Sequence, residues 1–281
     1  MPTPALDNSV DMTTRTVAAG PPLDAAALRA ALVRPGGLWR DFSVVAETGS
    51  TNQDLLAAAR SGAVEGVVLA AEVQTAGRGR MGRRWVSLPG AALTFSVLLR
   101  PLAVPAAGKG WVPLLTGIAV ASALRAEAGV DARLKWPNDV LVNGAKLAGI
   151  LAEQAGDAVV VGAGVNICAG RRDLPSDSAT SLALQGAACT DRQVLLVGLL
   201  GQLERWYLRW IAAHRDGTWS GWLRREYLSL SCTVGRDVRV TLPGGATLAG
   251  TACDVDDAGR LVVRSADGLV SVSAGDVVHV R

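Results

Sequence analysis

The chain has 281 residues, 49% of them hydrophobic and 19% charged, and carries a formal net charge of +3 at pH 7. This is the balance of a folded protein rather than a disordered one, and the length suits one large domain or two smaller ones. The charge does not demand a nucleic-acid partner, and the uncharged run Gly110 to Leu124, which no other run exceeds, is shorter than the roughly 20 residues that span a membrane.

Residues 1–22 read as a disordered tail ending at Pro21-Pro22. Asp24 starts a short helix through Val33, and Pro35-Gly36-Gly37 breaks it. Residues 42–46 are strand-like, and Thr51 or Asn52 is expected to cap a helix over Asp54 to Ala59. Gly66 to Val73 and Ala92 to Leu99 read as buried strands; the stretch between them is too polar for a strand and too glycine-rich for a helix. The uncharged run belongs to a buried core helix, Gly110 to Ala128. Asp139 to Val142 and Lys146 to Glu153 flank Asn143-Gly144, a type I′ hairpin signal, and Ala158 to Val161 with Val165 to Ile167 continue the sheet. Helical spacing returns over Asp191 to His214 and Trp219 to Leu228, where the tryptophans are expected to pack a core or a domain contact. From Thr233 onward, short strands at Asp237 to Leu242, Ala246 to Cys253, Arg260 to Val263, Leu269 to Val272 and Val277 to Val280 suggest a small barrel. The expected architecture is a mixed α/β domain over residues 23–230 followed by a small all-β domain over 231–281.

The inventory of reactive residues excludes several chemistries. Cys168, Cys189, Cys232 and Cys253 form no C-x-x-C pair and are expected as free thiols in a reducing compartment. His214 and His279 have no local metal-ligand spacing, which argues against zinc, Ser-His-Asp and Cys-His catalysis. The first 22 residues lack the continuous apolar core of a signal peptide, so a cytoplasmic protein is expected.

Four stretches can carry chemistry. In Gln74-Thr-Ala-Gly77-Arg78-Gly79-Arg80-Met81-Gly82-Arg83-Arg84-Trp85, three glycines allow close backbone approach and four arginines offer forked donors for phosphate or carboxylate. No Lys-Ser/Thr follows the last glycine and no helix opens there, so neither a P-loop nor a dinucleotide fold fits. Taken alone the stretch reads equally as a loop that binds an anionic ligand or as an exposed basic loop, an RNA-binding Arg-Gly segment being one form of the latter. Lys135-Trp136-Pro137-Asn138-Asp139 sets a cation, an amide and a carboxylate at a strand edge, or else is a turn around a buried tryptophan. In Lys146-Leu-Ala-Gly149-Ile-Leu151, Lys146 can face a pocket that Gly149 leaves open to a ligand; Gly162-Ala-Gly164-Val-Asn166 repeats the glycine pattern beside an exposed amide.

In combination, G-R-G-R-x-G-R and K-W-P-N-D followed by G-x-K-L-A-G-I-L resemble the biotin protein ligase family, from Ser50-Thr51-Asn52 to Asn166 and on into the C-terminal strands. The resemblance implies an α/β catalytic domain of the biotin/lipoate ligase type, with a mixed sheet flanked by helices, followed by an SH3-like C-terminal domain. It implies ATP with Mg2+ as cofactor, biotin as substrate, and a biotin carboxyl carrier domain of an acyl-CoA carboxylase as acceptor. Ser50, Thr51, Asn52 and Gln74 would meet the ureido ring, and the strand with Gly149 and Leu151 would wall the pocket. Gly77, Arg78, Gly79 and Arg80 would close over the carboxylate and the α-phosphate, with Lys146 at the same junction. Arg83, Trp85, Lys135, Asn138 and Asn166 would contact the nucleotide, and Lys135 with Asp139 would orient or deprotonate the acceptor amine. The loop is expected to order over the acyl-adenylate. Fewer than 50 residues precede Ser50, so the family's N-terminal DNA-binding domain is not expected, and a monomer or weak homodimer is. Lipoate protein ligases, which share the acyl-adenylate logic, and a nucleic-acid-binding module are the rival readings.

Overall fold

A computed structural model describes residues 20–86, 88–219 and 221–280. Most of the expected tail, residues 1–19, lies outside the described residues. The rest of it is anchored, contrary to expectation: the Gly20 amide donates to the Gly90 carbonyl at 3.1 Å, and the Pro21 carbonyl accepts from Arg192. Arg192 also meets Glu72 at 2.6 Å, and Glu72 in turn accepts from the Leu23 amide. Asp24 then caps α1 (Ala25–Leu32), its carboxylate accepting from the Ala26 and Ala27 amides.

Seven strands form the main sheet: β1 (Asp41–Thr48), β2 (Val67–Gln74), β3 (Ala92–Leu99), β4 (Arg133–Lys135), β5 (Asp139–Val142), β6 (Ala145–Ala155) and β7 (Ala158–Asn166). Their order is β1-β2-β3-β7-β6-β5-β4, with β1 and β2 parallel and the other pairs antiparallel. β3 and β7 lie at the centre and are buried at every position, which is why their sequences are largely apolar and uncharged. β7 is one strand, not the two separate segments expected, because Gly162 and Gly164 stay in register with both neighbours.

The two faces of the sheet are covered unequally. One packs against the large core that includes α3 (Trp111–Ala128), α4 (Arg192–Arg215), α5 (Trp222–Leu230) and α1. α3 has the length and apolarity of a membrane span, but it is mostly buried inside this core. Among the described residues, the other face carries only α2 (Thr51–Arg60), whose Leu55, Leu56 and Ala59 sit on Leu69, Leu98, Ala158 and Val160. α2 starts at Thr51, three residues before the expected Asp54, so its cap falls ahead of both expected caps. Ser50 takes the cap position without a side-chain hydrogen bond, and Thr51 and Asn52 turn their side chains toward the sheet. Half of this face is left open.

Residues after Thr233 form an antiparallel sheet of β8 (Asp237–Thr241), β9 (Thr247–Val255), β10 (Leu261–Ser265), β11 (Gly268–Val272) and β12 (Asp276–His279), ordered β11-β10-β9-β8-β12. Tryptophans tie it to the first domain: Trp111 Nε1 donates to the Asp257 carbonyl at 2.9 Å, and Trp136 Nε1 to the Gly259 carbonyl at 3.1 Å. The Trp136 amide donates to Thr233 Oγ1 at 3.0 Å, and the Trp136–Pro137 peptide is cis. Beside this seam Trp111, Trp206, Trp210, Trp219 and Trp222 form a ring network in which His214 stacks on Trp219. Trp136→Phe keeps the packing but leaves the Gly259 carbonyl unpaired, so stability is expected to fall by about 1–2 kcal/mol. A urea midpoint equal to that of the parent would remove this bond from the list of domain ties.

Candidate active site

The open half of the sheet face is a cleft of about 480 Å³. Cross-strand partners share a face, so the register sets its floor: Ser96 lies opposite Gly162, which lies opposite Leu151, and Thr94 opposite Gly164, opposite Gly149. Ser50, Thr51, Asn52 and Gln74 close one end. Arg78, Gly79, Arg80, Arg83, Trp85, Lys135, Asn138, Asp139, Lys146 and Asn166 line the remainder. Of the residues to which the resemblance gives a role, Gly77 alone stands off the lining. A Cβ there would lie 2.5 Å from the Trp85 carbonyl oxygen, so its close approach is to its own chain.

The α2 end is a buried polar corner. Gln74 Oε1 accepts from the Thr51 amide at 2.8 Å and the Thr51 hydroxyl at 3.0 Å; that hydroxyl lies 2.7 Å from Ser96 Oγ, which reaches Asn52 Oδ1 at 2.6 Å. Two hydroxyl protons serve three contacts, so one contact has no proton between its oxygens, and lone pairs remain in the corner to accept a hydrogen bond from a ligand N–H. Asn52 Nδ2 donates to the Leu151 carbonyl and to Glu153. Neither Ser96 nor Glu153 was expected here. Two hydroxyls two residues apart in the otherwise apolar run Ala92–Leu99, Thr94 and Ser96, were the available signal for Ser96.

The Gly-Arg stretch is a small hairpin: the Gly79 amide donates to the Arg83 carbonyl at 2.7 Å and the Trp85 amide to the Gly77 carbonyl at 2.9 Å. Met81 turns it with φ 55. Each arginine has its own anchor. Arg78 pairs with Glu153 at 3.3 Å, Arg80 donates to Asn138 Oδ1 at 3.3 Å, Arg83 pairs with Asp276, and Arg84 donates to the Thr75 carbonyl at 3.1 Å. Burial lowers the pKa of the Arg80 guanidinium; nearby Asp139 opposes that shift and Arg83 reinforces it. The glycines expected to admit a ligand instead seat Trp85: a Cβ on Gly164 would lie 2.3 Å from its Cε2, and one on Gly149 3.4 Å from its Cζ3. The Trp85 Nε1 is buried with no hydrogen-bond partner.

Lys146 and Gly149 are an odd number of residues apart, and strict alternation would put them on opposite faces. A register shift opposite Val140 and Leu141 corrects this: Val140 pairs with Ala148 while Leu141 pairs with Lys146, leaving Leu147 as the extra residue of a bulge. Lys146 Nζ therefore stands 2.6 Å from Asp139 Oδ1, although the contact is an ion pair without hydrogen-bond geometry. Asn138 Nδ2 donates to the Ile150 carbonyl at 2.9 Å, which fixes its Oδ1 toward Arg80. Asn166, expected as an exposed amide, is only 6% exposed and donates to the Thr180 carbonyl, because β7 is central and its glycines do not open it to solvent.

The second domain supplies the last wall, Asp276, Val277 and Val278; nothing in the local sequence around them signalled this. The next residue, His279, has Nε2 3.2 Å from Thr233 Oγ1. Burial lowers the pKa of His279, aided by Lys135 and Arg236, and burial lowers that of His214. A folded-state pKa below the unfolded value means that the unfolded chain takes up the proton first. Stability from these groups is intact above the unfolded histidine pKa of about 6.5 and is lost as pH falls through the folded values. The urea midpoint is expected to drop from pH 7.5 to pH 5, less steeply in His279→Gln. Identical slopes would show that His279 does not contribute.

Residues 45–167 match the model of the Biotin/lipoate A/B protein ligase family, and residues 233–280 that of the Biotin protein ligase C terminal domain. The chain is 47% identical over 265 residues to a biotin--[acetyl-CoA-carboxylase] ligase of Mycobacterium tuberculosis, covering 93% of this chain and 97% of that one. It is 32% identical over 244 residues to the bifunctional ligase/repressor BirA of Bacillus subtilis, covering 83% of this chain and 71% of that protein. The structure of the Aquifex aeolicus biotin protein ligase in complex with biotin and ATP superposes with a TM-score of 0.71 at 25% identity, covering 86% of this chain and all of that one. The chain belongs to the biotin protein ligase family.

Proposed function

We propose that the cleft activates biotin with ATP as biotinyl-5′-AMP and passes the biotinyl group to a lysine of a biotin carboxyl carrier domain. The observation that carries this is the meeting, in one cleft, of a buried corner of uncharged hydrogen-bonding side chains with a cluster of cations. The corner of Ser50, Thr51, Asn52 and Gln74 suits the N–H and carbonyl groups of the ureido ring, and Gly149 and Leu151 form part of the wall beside it. Arg78, Arg80 and Lys146 receive the carboxylate and the α-phosphate. Lys135, Asn138 and Trp85 lie along the path of the nucleotide, with Asn166 behind them.

Two anions must meet in the first step. A biotin carboxylate oxygen bonds to the α-phosphorus, the bond to the bridging oxygen breaks, and pyrophosphate leaves with the electron pair. The fixed positive charge of Arg80 and Lys146 lowers that barrier. In the second step the acceptor amine bonds to the acyl carbon, AMP leaves, and the amine gives up a proton. Asp139 and Lys135 stand where that amine must enter and orient it. Magnesium fits as an ion carried on the phosphates. Among the described residues no group of three His, Cys, Asp or Glu side chains converges, and Asp139 and Asp276 at the cleft are already paired with Lys146 and Arg83. The bound ion would neutralise phosphate charge.

The acceptor carboxylase domain, a cytoplasmic location, the monomer or weak homodimer, and the lack of a DNA partner belong to the same proposal. The modest charge of +3 supports the last of these. Biotin-dependent exchange of pyrophosphate into ATP is the direct test. Exchange supported by lipoate and not by biotin would overturn the choice of acid.

A further inference from the structure

The second domain touches the Gly-Arg hairpin through two consecutive residues at the start of β12. The Asp276 carboxylate pairs with Arg83, and the Gly275 carbonyl lies 3.5 Å from Arg80 Nη1. These arginines flank the Met81-Gly82 turn, so the contact spans both sides of the hairpin tip. Arg80 is also held by Asn138 from the first domain, and Arg80 and Arg83 repel one another. A carboxylate at the Arg83 end offsets that repulsion. Arg83 is 60% exposed at its side chain and turned toward the second domain, so its placement suits a tie better than a nucleotide contact.

We infer that Asp276 is a positioning residue: by holding Arg83 it keeps the hairpin closed on the cleft and holds Arg80 beside Asn138. This rests on the reading above, in which the hairpin covers biotinyl-AMP. The second domain then governs retention of the intermediate. When the tie is absent the hairpin opens more often, and the acyl-adenylate escapes or meets water before an acceptor arrives.

The amides of Gly79 and Trp85 donate the two hydrogen bonds that close the hairpin, so their hydrogen exchange reports its opening. In the full chain without substrates, Asp276→Asn is expected to speed exchange at both amides about two- to five-fold, the range set by one partly exposed ion pair. AMP released without acceptor should rise by a similar factor relative to biotin transferred. Asp276→Glu should keep both quantities near the parent values. Arg83→Asp and Asp276→Arg should each loosen the hairpin singly and restore it together. Unchanged exchange in Asp276→Asn, or a charge-swapped double variant as loose as the singles, overturns the inference. If Asp276→Asn lowers the melting temperature, the Glu variant and the double variant decide. The exchange experiment needs no substrate. A chain that forms no biotinyl-AMP would therefore sink the functional reading while the amides still judge the tie.

Discussion

Replacing Lys146 with alanine is expected to slow biotin-dependent ATP–pyrophosphate exchange by about 10²- to 10³-fold, the usual cost of removing one preorganised charge from a transition state. Lys146 stands on the cleft face because of the bulge at Leu147, and Asp139 holds its ammonium at 2.6 Å. Lys146→Arg is not expected to rescue the rate, since a planar fork cannot occupy the place of a compact ammonium against Asp139. Removal of Lys146 alone strands the Asp139 carboxylate, whose Oδ1 is buried. Lys146→Met with Asp139→Asn removes both charges and controls for that effect on folding. An exchange rate within about tenfold of the parent in Lys146→Ala would sink its assignment to the α-phosphate.

Gly162→Ala should damage both stability and biotin binding. A Cβ at this position would sit 2.3 Å from Asn52 Oδ1 and 2.9 Å from Ser96 Oγ, in the middle of the buried polar corner. Both neighbours are themselves enclosed, so either the α2 end or β7 must shift. Overpacking of this kind costs about 1–3 kcal/mol, visible as a lower melting temperature. If the corner binds the ureido ring, displacing Asn52 should also raise the KM for biotin about ten- to a hundredfold, the loss of one or two hydrogen bonds in a dry site. kcat should change less, because this contact is made to substrate and transition state alike. A lower melting temperature with an unchanged biotin KM would place the ring elsewhere in the cleft.

The sequence was most informative where chemistry and local structure coincide. The Gly-Arg stretch, K-W-P-N-D and the strand after Asn143-Gly144 are each local, and all three meet in the cleft. What it hid is non-local. The glycines of β6 and β7 advertised space, but only the packing revealed that Trp85 and Asn52 occupy it. The bulge at Leu147 depends on the pairing partner β5, so simple alternation gave the right residues with the wrong geometry. Asn166 looked exposed because nothing in its own segment says that β7 is the central strand. Asp276 lies nearly two hundred residues from Arg83, and no local pattern links an aspartate at a strand start to a distant loop. The anchoring of Gly20 and Pro21 was missed for the same reason, being made by partners far away in the chain.

The ring network at the domain seam bears on how this protein can be watched by light. Four of the eight tryptophans, Trp111, Trp206, Trp219 and Trp222, lie 5.7 to 6.2 Å apart and can exchange excitation directly, while His214, stacked on Trp219 at 5.0 Å and edge-on to Trp210, offers a quencher. Intrinsic emission therefore mixes a coupled, partly quenched pool at the seam between the domains with Trp85 in the cleft. An optical titration with ligand needs Trp85 isolated from that pool, for example by a red-shifted indole analogue, before an intensity change can be read as an event in the cleft.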